Sequence, residues 1–141
     1  MGEPGRAVRL TLAYEGTGLH GWQIQPGRDT VQGLVMGAAA RVLGLAEYRA
    51  RNWTACIEAL EKSCDLQDNP KGGDSWQWFL LAMANRQLSQ KQKAREWYDR
   101  SVTWIDKNRE RLNTLAVNRL TADLRIVREE AAELLGVKDK K

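Results

Sequence analysis

Residues 75–108, SWQWFLLAMANRQLSQKQKAREWYDRSVTWIDKN, contain two helical patterns of apolar residues separated by a break near Ser89. Apolar or small side chains recur at intervals of three and four residues, which places them on one face of a helix. They are Trp76, Phe79, Leu80, Met83, Ala84 and Leu88 in the first pattern, and Ala94, Trp97, Tyr98, Ser101, Val102 and Ile105 in the second. The spacing predicts a helical hairpin, with Asp74 and Gln77, then Ser89 and Gln92, as capping boxes at the helix starts.

The same pattern occurs a second time, 38 residues upstream. The segment Leu43-Gly44-Leu45-Ala46 aligns with Leu81-Ala82-Met83-Ala84. Further along the shift pairs Cys56 with Ala94, Leu60 with Tyr98, and Ser63 with Ser101. Small residues recur where two helices must approach closely, and large ones recur where they fill the space between them. A repeat of this length predicts two stacked helical hairpins.

The two units resemble the tetratricopeptide repeat over residues 37–108. The matching positions, counted from Gly37 and Ser75, are the fourth (Trp78), seventh (Leu43, Leu81), eighth (Gly44, Ala82), twentieth (Cys56, Ala94), twenty-fourth (Leu60, Tyr98) and twenty-seventh (Ser63, Ser101). The family's tyrosine at the eleventh place is missing in both units, and Asp68 and Asp106 replace its late proline. The resemblance implies that the helical pattern at 110–136, as one long helix or two shorter ones, closes the array.

In tetratricopeptide arrays the first helices of the hairpins line a concave groove that holds a partner's peptide or helix. By position, the groove residues here would be Arg41, Leu45, Tyr48 and Arg49 from the first unit, and Trp76, Phe79, Met83, Arg86 and Gln87 from the second. The arginines could meet a carboxylate and the aromatic side chains could supply anchors. The alternative is that Trp76 and Phe79 are core residues covered by the C-terminal helix. Leu45 and Met83 stand where the family's two-carboxylate clamp needs asparagine, so recognition of an acidic C-terminus is not expected.

The N-terminal 29 residues have a different pattern. Residues 7–14, AVRLTLAY, alternate apolar and polar side chains and predict a half-buried strand. Three glycines then interrupt the chain, residues 23–25 predict a second short strand, and Asp29 with Gln32 predicts a helix cap. The following helix, with an apolar stripe from Val31 to Leu45, contains the first unit of the repeat.

Residues 6–44 resemble the opening of the tRNA pseudouridine synthase A family. The resemblance rests on Tyr14-Glu15-Gly16, on Gly21-Trp22-Gln23-Ile24-Gln25 and on Thr30-Val31-Gln32. It implies isomerisation of uridine in the anticodon arm of tRNA, by an aspartate in a downstream Gly-Arg-Thr-Asp segment. This chain has no Gly-Arg-Thr-Asp, and Asp29 in Gly27-Arg28-Asp29-Thr30 is better explained as a helix cap. Either the chain is a hybrid of the two families, joined inside the helix at 30–50, or the N-terminal likeness is convergent.

Composition and charge exclude several other classes of protein. The 22 basic and 18 acidic side chains are interleaved along the 141 residues, without the concentrated positive charge of a nucleic-acid binder. The basic faces near Lys91 and near Arg109 predict solvated helix surfaces rather than RNA contacts. His20 is the only histidine and lies near neither cysteine, so we expect no metal site and no cofactor. No apolar run approaches the roughly 20 residues of a membrane span, and the N-terminus has no signal-peptide pattern, so we expect a cytoplasmic protein.

The sequence as a whole predicts a mainly α protein of antiparallel, tetratricopeptide-like hairpins, preceded by a short β-strand or hairpin. We divide it into a strand-loop segment at 1–29, two helical hairpins at 30–108, and a C-terminal closing helix with a charged tail at 109–141. The predicted function is a protein-interaction scaffold without catalysis, with a protein or peptide in its groove and no membrane. The alternative is a tRNA pseudouridine synthase, or a truncated, inactive fragment of one, with tRNA as partner.

Overall fold

The predicted helical architecture is confirmed. In the computed structural model, residues 9, 11–66, 75–114 and 118–138 are described. This part of the chain contains six helices and no strand: α1 (Val31–Arg49), α2 (Trp53–Leu66), α3 (Ser75–Gln87), α4 (Lys91–Lys107), α5 (Arg109–Thr114) and α6 (Asn118–Leu135). Helix α1 packs along α2 and α3 packs along α4, while α3 also contacts α2 and α6. The hairpins are thus stacked, and α3 lies at the centre of the protein.

The 38-residue repeat is visible as the same hydrogen bond in both hairpins. The Ser63 hydroxyl on α2 donates to the Gly37 carbonyl on α1 over 2.7 Å, and the Ser101 hydroxyl on α4 donates to the Ser75 carbonyl on α3 over 2.9 Å. Both serines are fully buried. In each hairpin the bond ties the first half of the first helix to the second half of the next one, because the two helices run antiparallel.

The turns within the two hairpins also coincide. Arg51 and Ser89, 38 residues apart, both adopt a left-handed backbone conformation, with φ of 62° and 61°. The next amide in each turn reaches back to the helix end: Asn52 N–H donates to the Glu47 carbonyl and Gln90 N–H to the Asn85 carbonyl, each over 2.9 Å. The two hairpins therefore share their turn geometry although their turn residues differ.

The small residues of the repeat allow close helix packing, as the sequence predicts. A Cβ atom on Gly44 would lie 2.5 Å from Cγ and Cδ2 of Leu60, so α1 and α2 can approach this closely only with glycine at that position. In the second hairpin Ala82 takes that place and is fully buried. Nearby, the rings of Phe79 and Tyr98 pack edge to face, with their centroids 5.6 Å apart. The core is centred on α3, where every residue from Phe79 to Asn85 is buried.

The predicted N-terminal strands are wrong for the residues that the structure describes. Arg9 and residues 11–14 are exposed and lie in no strand, while Val8 and Leu10 fall outside the described residues. The strand predicted at 23–25 is reduced to an isolated antiparallel bridge between Gln25 and Arg28. A half-buried strand needs a neighbouring strand and a covering layer, and the described part of this chain supplies neither.

Two of the three predicted helix caps are also wrong. Helix α1 is capped by Thr30, not Asp29, because the Thr30 hydroxyl accepts the Gly33 N–H over 3.2 Å. Helix α4 is preceded by Gln90 at the N-cap, without a side-chain bond, because Ser89 is used in the left-handed turn. The cap predicted at Asp74, like the predicted loop at 68–73, lies outside the described residues. Neighbouring polar residues compete for one cap position, and backbone geometry decides between them.

The C-terminal pattern is helical on both sides of residues 115–117, which lie outside the described residues. Helix α5 ends at Thr114 and α6 begins at Asn118. Within α6, Leu124, Ala131 and Ala132 are buried against the rest of the protein. The closing helix predicted from the repeat thus corresponds to α6, which packs on α3 and α4.

Candidate peptide-binding groove

Helices α1, α3 and α6 lie side by side, run in the same direction and together line a groove. Between α1 and α3, Arg41 meets Trp76 and, two turns later, Tyr48 meets Met83. Between α3 and α6, the Arg86 side chain reaches the Leu134 carbonyl. Since the first helices of the hairpins and α6 are all parallel, α6 takes the place that the first helix of a third hairpin would occupy.

The groove has an apolar floor. It is a cavity of about 550 Å³, lined by Arg41, Leu45, Tyr48, Arg49, Trp76, Leu80, Met83, Asp123, Ile126, Val127 and Glu130. Met83 and Leu80 of α3 are buried at its base, whereas Ile126 of α6 is 51% exposed. Large exposed apolar side chains next to a concave apolar surface are typical of sites where another molecule binds.

The two rims of the groove carry opposite charges. Helix α1 contributes Arg41 and Arg49, and helix α6 contributes Asp123 and Glu130. The Arg41 guanidinium lies 4.6 Å from the centre of the Trp76 ring, a cation–π contact that orients it over the floor. A ligand between the rims therefore meets positive charge on one side and negative charge on the other.

Tyr48 connects the rim to the floor. Its hydroxyl donates to the Met83 sulfur over 3.6 Å, and its ring packs edge-on against Trp53 at 5.1 Å. Burial raises the pKa of Tyr48, and the nearby carboxylate of Glu130 raises the pKa further. The phenol is therefore neutral at physiological pH and acts in the groove as a polar, hydrogen-bonding group.

The structure brings most of the predicted groove residues together, but not all of them. Arg41, Leu45, Tyr48, Arg49, Trp76 and Met83 line the cavity. Phe79 does not line the cavity: its side chain is fully buried and its ring packs against Tyr98 of α4. Arg86 faces α6 instead and donates to Leu134, and Gln87 is exposed at the end of α3. One turn of α3 carries both core and groove residues, and side-chain type alone does not separate them.

The residues that the sequence interpretation missed lie on α6 and α3. They are Leu80, Asp123, Ile126, Val127 and Glu130. The α6 positions follow one another at intervals of three, one and three residues, the spacing of one helix face. Treating the closing helix as a third member of the row, rather than as a cover, would have found them.

The N-terminal motif residues form a loop that caps α1. The Gly21 and Trp22 carbonyls accept the N–H groups of Val31 and Gln32 over 3.1 and 3.0 Å. His20 N–H donates to the Asp29 carbonyl, and the Gln25 side chain donates to the His20 carbonyl. The motif therefore satisfies N–H groups that the first turn of a helix leaves unpaired. The Trp22 ring itself remains 53% exposed.

Among the described residues, no group of three or more His, Cys, Asp or Glu side chains is placed to hold a metal ion. The helices in the described part of the chain are too short or too polar to cross a membrane.

Comparison with known proteins yields similarity to one kind of enzyme over a short segment. A stretch of 39 residues is 49% identical to tRNA pseudouridine synthase A of Ruminiclostridium cellulolyticum, which is 28% of this chain and 16% of that protein. The same enzyme of Solibacter usitatus is 53% identical over 30 residues, 21% of this chain and 12% of the relative. That of Brachyspira hyodysenteriae is 46% identical over 37 residues, 26% of this chain and 15% of the relative.

These matches cover a small part of the relatives. The chain spans 12% to 16% of the length of these three curated relatives. The longest of the three matches has the length of residues 6–44, the stretch that carries the synthase-like motifs. No family model matches the chain, and no solved structure matches it significantly.

Proposed function

We propose that this chain is a cytoplasmic protein-interaction scaffold of tetratricopeptide type, without catalysis, whose groove binds a short amphipathic helix of a partner protein. The observation that carries the proposal is the groove itself. Three parallel helices enclose about 550 Å³ above an apolar floor, between rims of opposite charge. The repeated serine bond and the repeated turn support the comparison with tetratricopeptide units.

The charge pattern favours a helical ligand over an extended one. The side chains of a strand point to two opposite faces, so an extended peptide with apolar residues on the floor points its other side chains away from the groove. A helix presents an apolar stripe with a flank on either side. Acidic residues on one flank would face Arg41 and Arg49, and basic residues on the other would face Asp123 and Glu130.

The proposal is tested with peptides selected for binding and one pair of matched variants. A displayed library of random 18-residue peptides is selected on the immobilised full chain, and enriched peptides are synthesised and labelled. Their affinity is then measured by fluorescence polarisation for wild type, for Ile126→Asp and for Leu43→Asp. Ile126 is 51% and Leu43 53% exposed, and both lie on helices, but only Ile126 lines the groove.

We expect Ile126→Asp to raise the Kd at least about tenfold, because a carboxylate replaces an apolar anchor. Leu43→Asp should leave the Kd within about twofold. Enriched sequences should carry an apolar helical stripe with acidic and basic flanks. Equal loss of binding in both variants, or selection of peptides that need neither, would exclude the groove. Trp76→Ala gives a second groove variant, and thermal melts verify that each variant is folded.

A second candidate function rests on the synthase-like segment. The matched relatives are named tRNA pseudouridine synthase A, so isomerisation of tRNA uridine is the activity to test. Release of tritium from tRNA labelled at C5 of uridine measures it directly. Our proposal predicts no release above background. Release that disappears in Asp29→Ala would establish the enzyme and contradict the scaffold without catalysis.

A further inference from the structure

A second cavity lies where the α3–α4 turn meets the end of α6. It has a volume of about 250 Å³ and is lined by Arg86, Lys91, Arg95, Leu135 and Val137. Three of its five lining residues are cations, and no acidic side chain lines it. The peptide-binding groove uses none of these residues.

Two of the three cations are held in place through Nε. Arg86 Nε donates to the Leu134 carbonyl over 3.3 Å, and Arg95 Nε lies 2.9 Å from both carboxylate oxygens of Asp99. A bond through Nε fixes the guanidinium plane and leaves the terminal nitrogens as the groups that can face a ligand. Lys91, at the first position of α4, is exposed and supplies the third charge.

The internal repeat shows that the fold does not need cations at this corner. A shift of 38 residues takes Arg86, Lys91 and Arg95 onto Tyr48, Trp53 and Ile57 of the first hairpin. There the rings of Tyr48 and Trp53 pack against each other at 5.1 Å, and Ile57 packs on the core. The two turns share the same backbone geometry. At this corner the first hairpin has apolar contacts, whereas the second has a cationic cavity.

The start of α4 adds to the positive charge. Its first turn contains no acidic residue, the N-cap Gln90 makes no side-chain bond to it, and Lys91 and Lys93 stand in that turn. Cations at the positive end of a helix are unfavourable, whereas an anion there is stabilised. By contrast, the first turn of α1 is capped by Thr30 and by carbonyls of the preceding loop.

We propose that this cavity binds a phosphate monoester carried by another molecule, such as a phosphorylated serine side chain. A monoester is a dianion with oxygens in three directions, which suits three cations around one space. Leu135 and Val137 form an apolar wall that can contact the carbon atoms bearing the phosphate. A phosphodiester carries one charge and must continue on both sides, which suits an open track better than a walled cavity.

The test uses two lysines of the same helical turn. The full-length chain, labelled with ¹⁵N, is titrated at constant ionic strength with O-phosphoserine, with serine plus acetate, and with a uridine oligonucleotide. Amide shifts in the α3–α4 turn report binding. The comparison is between wild type, Lys91→Gln and Lys93→Gln. Both variants remove one charge from the first turn of α4, but only Lys91 lines the cavity.

We expect phosphoserine to shift these amides and Lys91→Gln to raise its Kd about tenfold, because one charged hydrogen bond is lost. Lys93→Gln should change the Kd less than about twofold. Equal weakening by the two variants would mean attraction to net charge only and would overturn the proposal. Binding of acetate as tight as that of phosphoserine, or tighter binding of the oligonucleotide, would overturn it as well. The spectra themselves report whether each variant is folded.

Discussion

The N-terminal loop at 11–29 and the hairpin at 75–108 differ in their sequence similarity to other proteins and in the burial of their side chains. The loop carries the synthase-like motif letters, yet its large side chains are exposed: Tyr14 is 57% and Trp22 53% accessible. The hairpin belongs to a chain that no family model matches, yet it holds most of the buried core. The synthase-like motif letters of the loop and most of the buried core therefore lie in different parts of this chain.

The difference teaches that the motif residues hold a defined loop although their large side chains are exposed. In the loop, backbone N–H and carbonyl groups form hydrogen bonds with one another and with the start of α1. In the hairpin, conformation and burial are coupled, since α3 is buried along most of its length. We expect mutations in the two regions to differ sharply in their effect on stability.

The largest effect should come from truncating the aromatic side chain at the centre of the core. Phe79→Ala should lower the free energy of unfolding by about 3–5 kcal/mol, because it leaves a cavity beside Tyr98. Trp22→Ala, in the loop, should change it by less than about 0.5 kcal/mol. Urea unfolding followed by circular dichroism measures both. Phe79→Leu controls for packing and should cost less than about 1.5 kcal/mol. Similar losses for Phe79→Ala and Trp22→Ala would remove the contrast between the regions.

The next effect is a pH dependence of the contact between α1 and α2. Cys56 is fully buried, and burial together with the Glu47 carboxylate raises its pKa from 9.0 to about 11. The unfolded thiol ionises near pH 9 and the folded one only near pH 11. Stability is therefore full below pH 9 and falls as the pH rises towards 11, by up to about 3 kcal/mol at about 1.4 kcal/mol per pKa unit.

Cys56→Ala isolates the contribution of the thiol. Alanine is the residue that the second hairpin has at the same place, Ala94, so the fold accepts it. The variant should lose less stability than wild type between pH 9 and pH 11, with the remaining tyrosine titration common to both. Identical pH profiles would mean that the Cys56 thiol is hydrated and that α1 and α2 are packed less tightly than described.

Helix positions and the repeat were predictable from the sequence, because three- and four-residue periodicity and small residues such as Gly44 reflect packing directly. The strand predicted at 7–14 is wrong for the described residues Arg9 and 11–14. Alternation shows only that one face is apolar, not that a neighbouring strand exists. Within the candidate groove, Arg41 and Trp76 follow from position in the repeat. Phe79 was misplaced, since adjacent residues on a central helix face either the core or the groove. Ile126 and Glu130 were missed because the closing helix is not itself a repeat unit.

The hydrogen bonds of the two buried serines differ in what they contribute to stability, and one of them reaches into the synthase-like stretch. Ser63 donates to the carbonyl of Gly37, inside that stretch, and accepts a hydrogen bond from the buried Gln77 amide over 2.6 Å. Ser63→Ala therefore removes two bonds and should cost about 1–3 kcal/mol, because a buried amide loses its partner. Ser101→Ala removes one bond, to Ser75, and should cost about 0.5–1.5 kcal/mol. Equal losses, measured by urea unfolding, would mean that the Gln77 contact contributes nothing.

The smallest effect concerns the turns, and it tests whether the first hairpin is as regular as the second. Arg51 and Ser89 hold left-handed conformations that cost non-glycine residues about 1–2 kcal/mol, and glycine relieves this while losing entropy on folding. Arg51→Gly and Ser89→Gly should each raise the free energy of unfolding by up to about 1 kcal/mol. Asn52→Gly, next to the turn but outside its left-handed position, should be neutral or destabilising. Gains of equal size at both turns would show that the left-handed turn costs the same free energy in the two hairpins, although the first hairpin overlaps the synthase-like stretch. A gain for Ser89→Gly alone would mean that the turn of the first hairpin is less regular than the turn of the second.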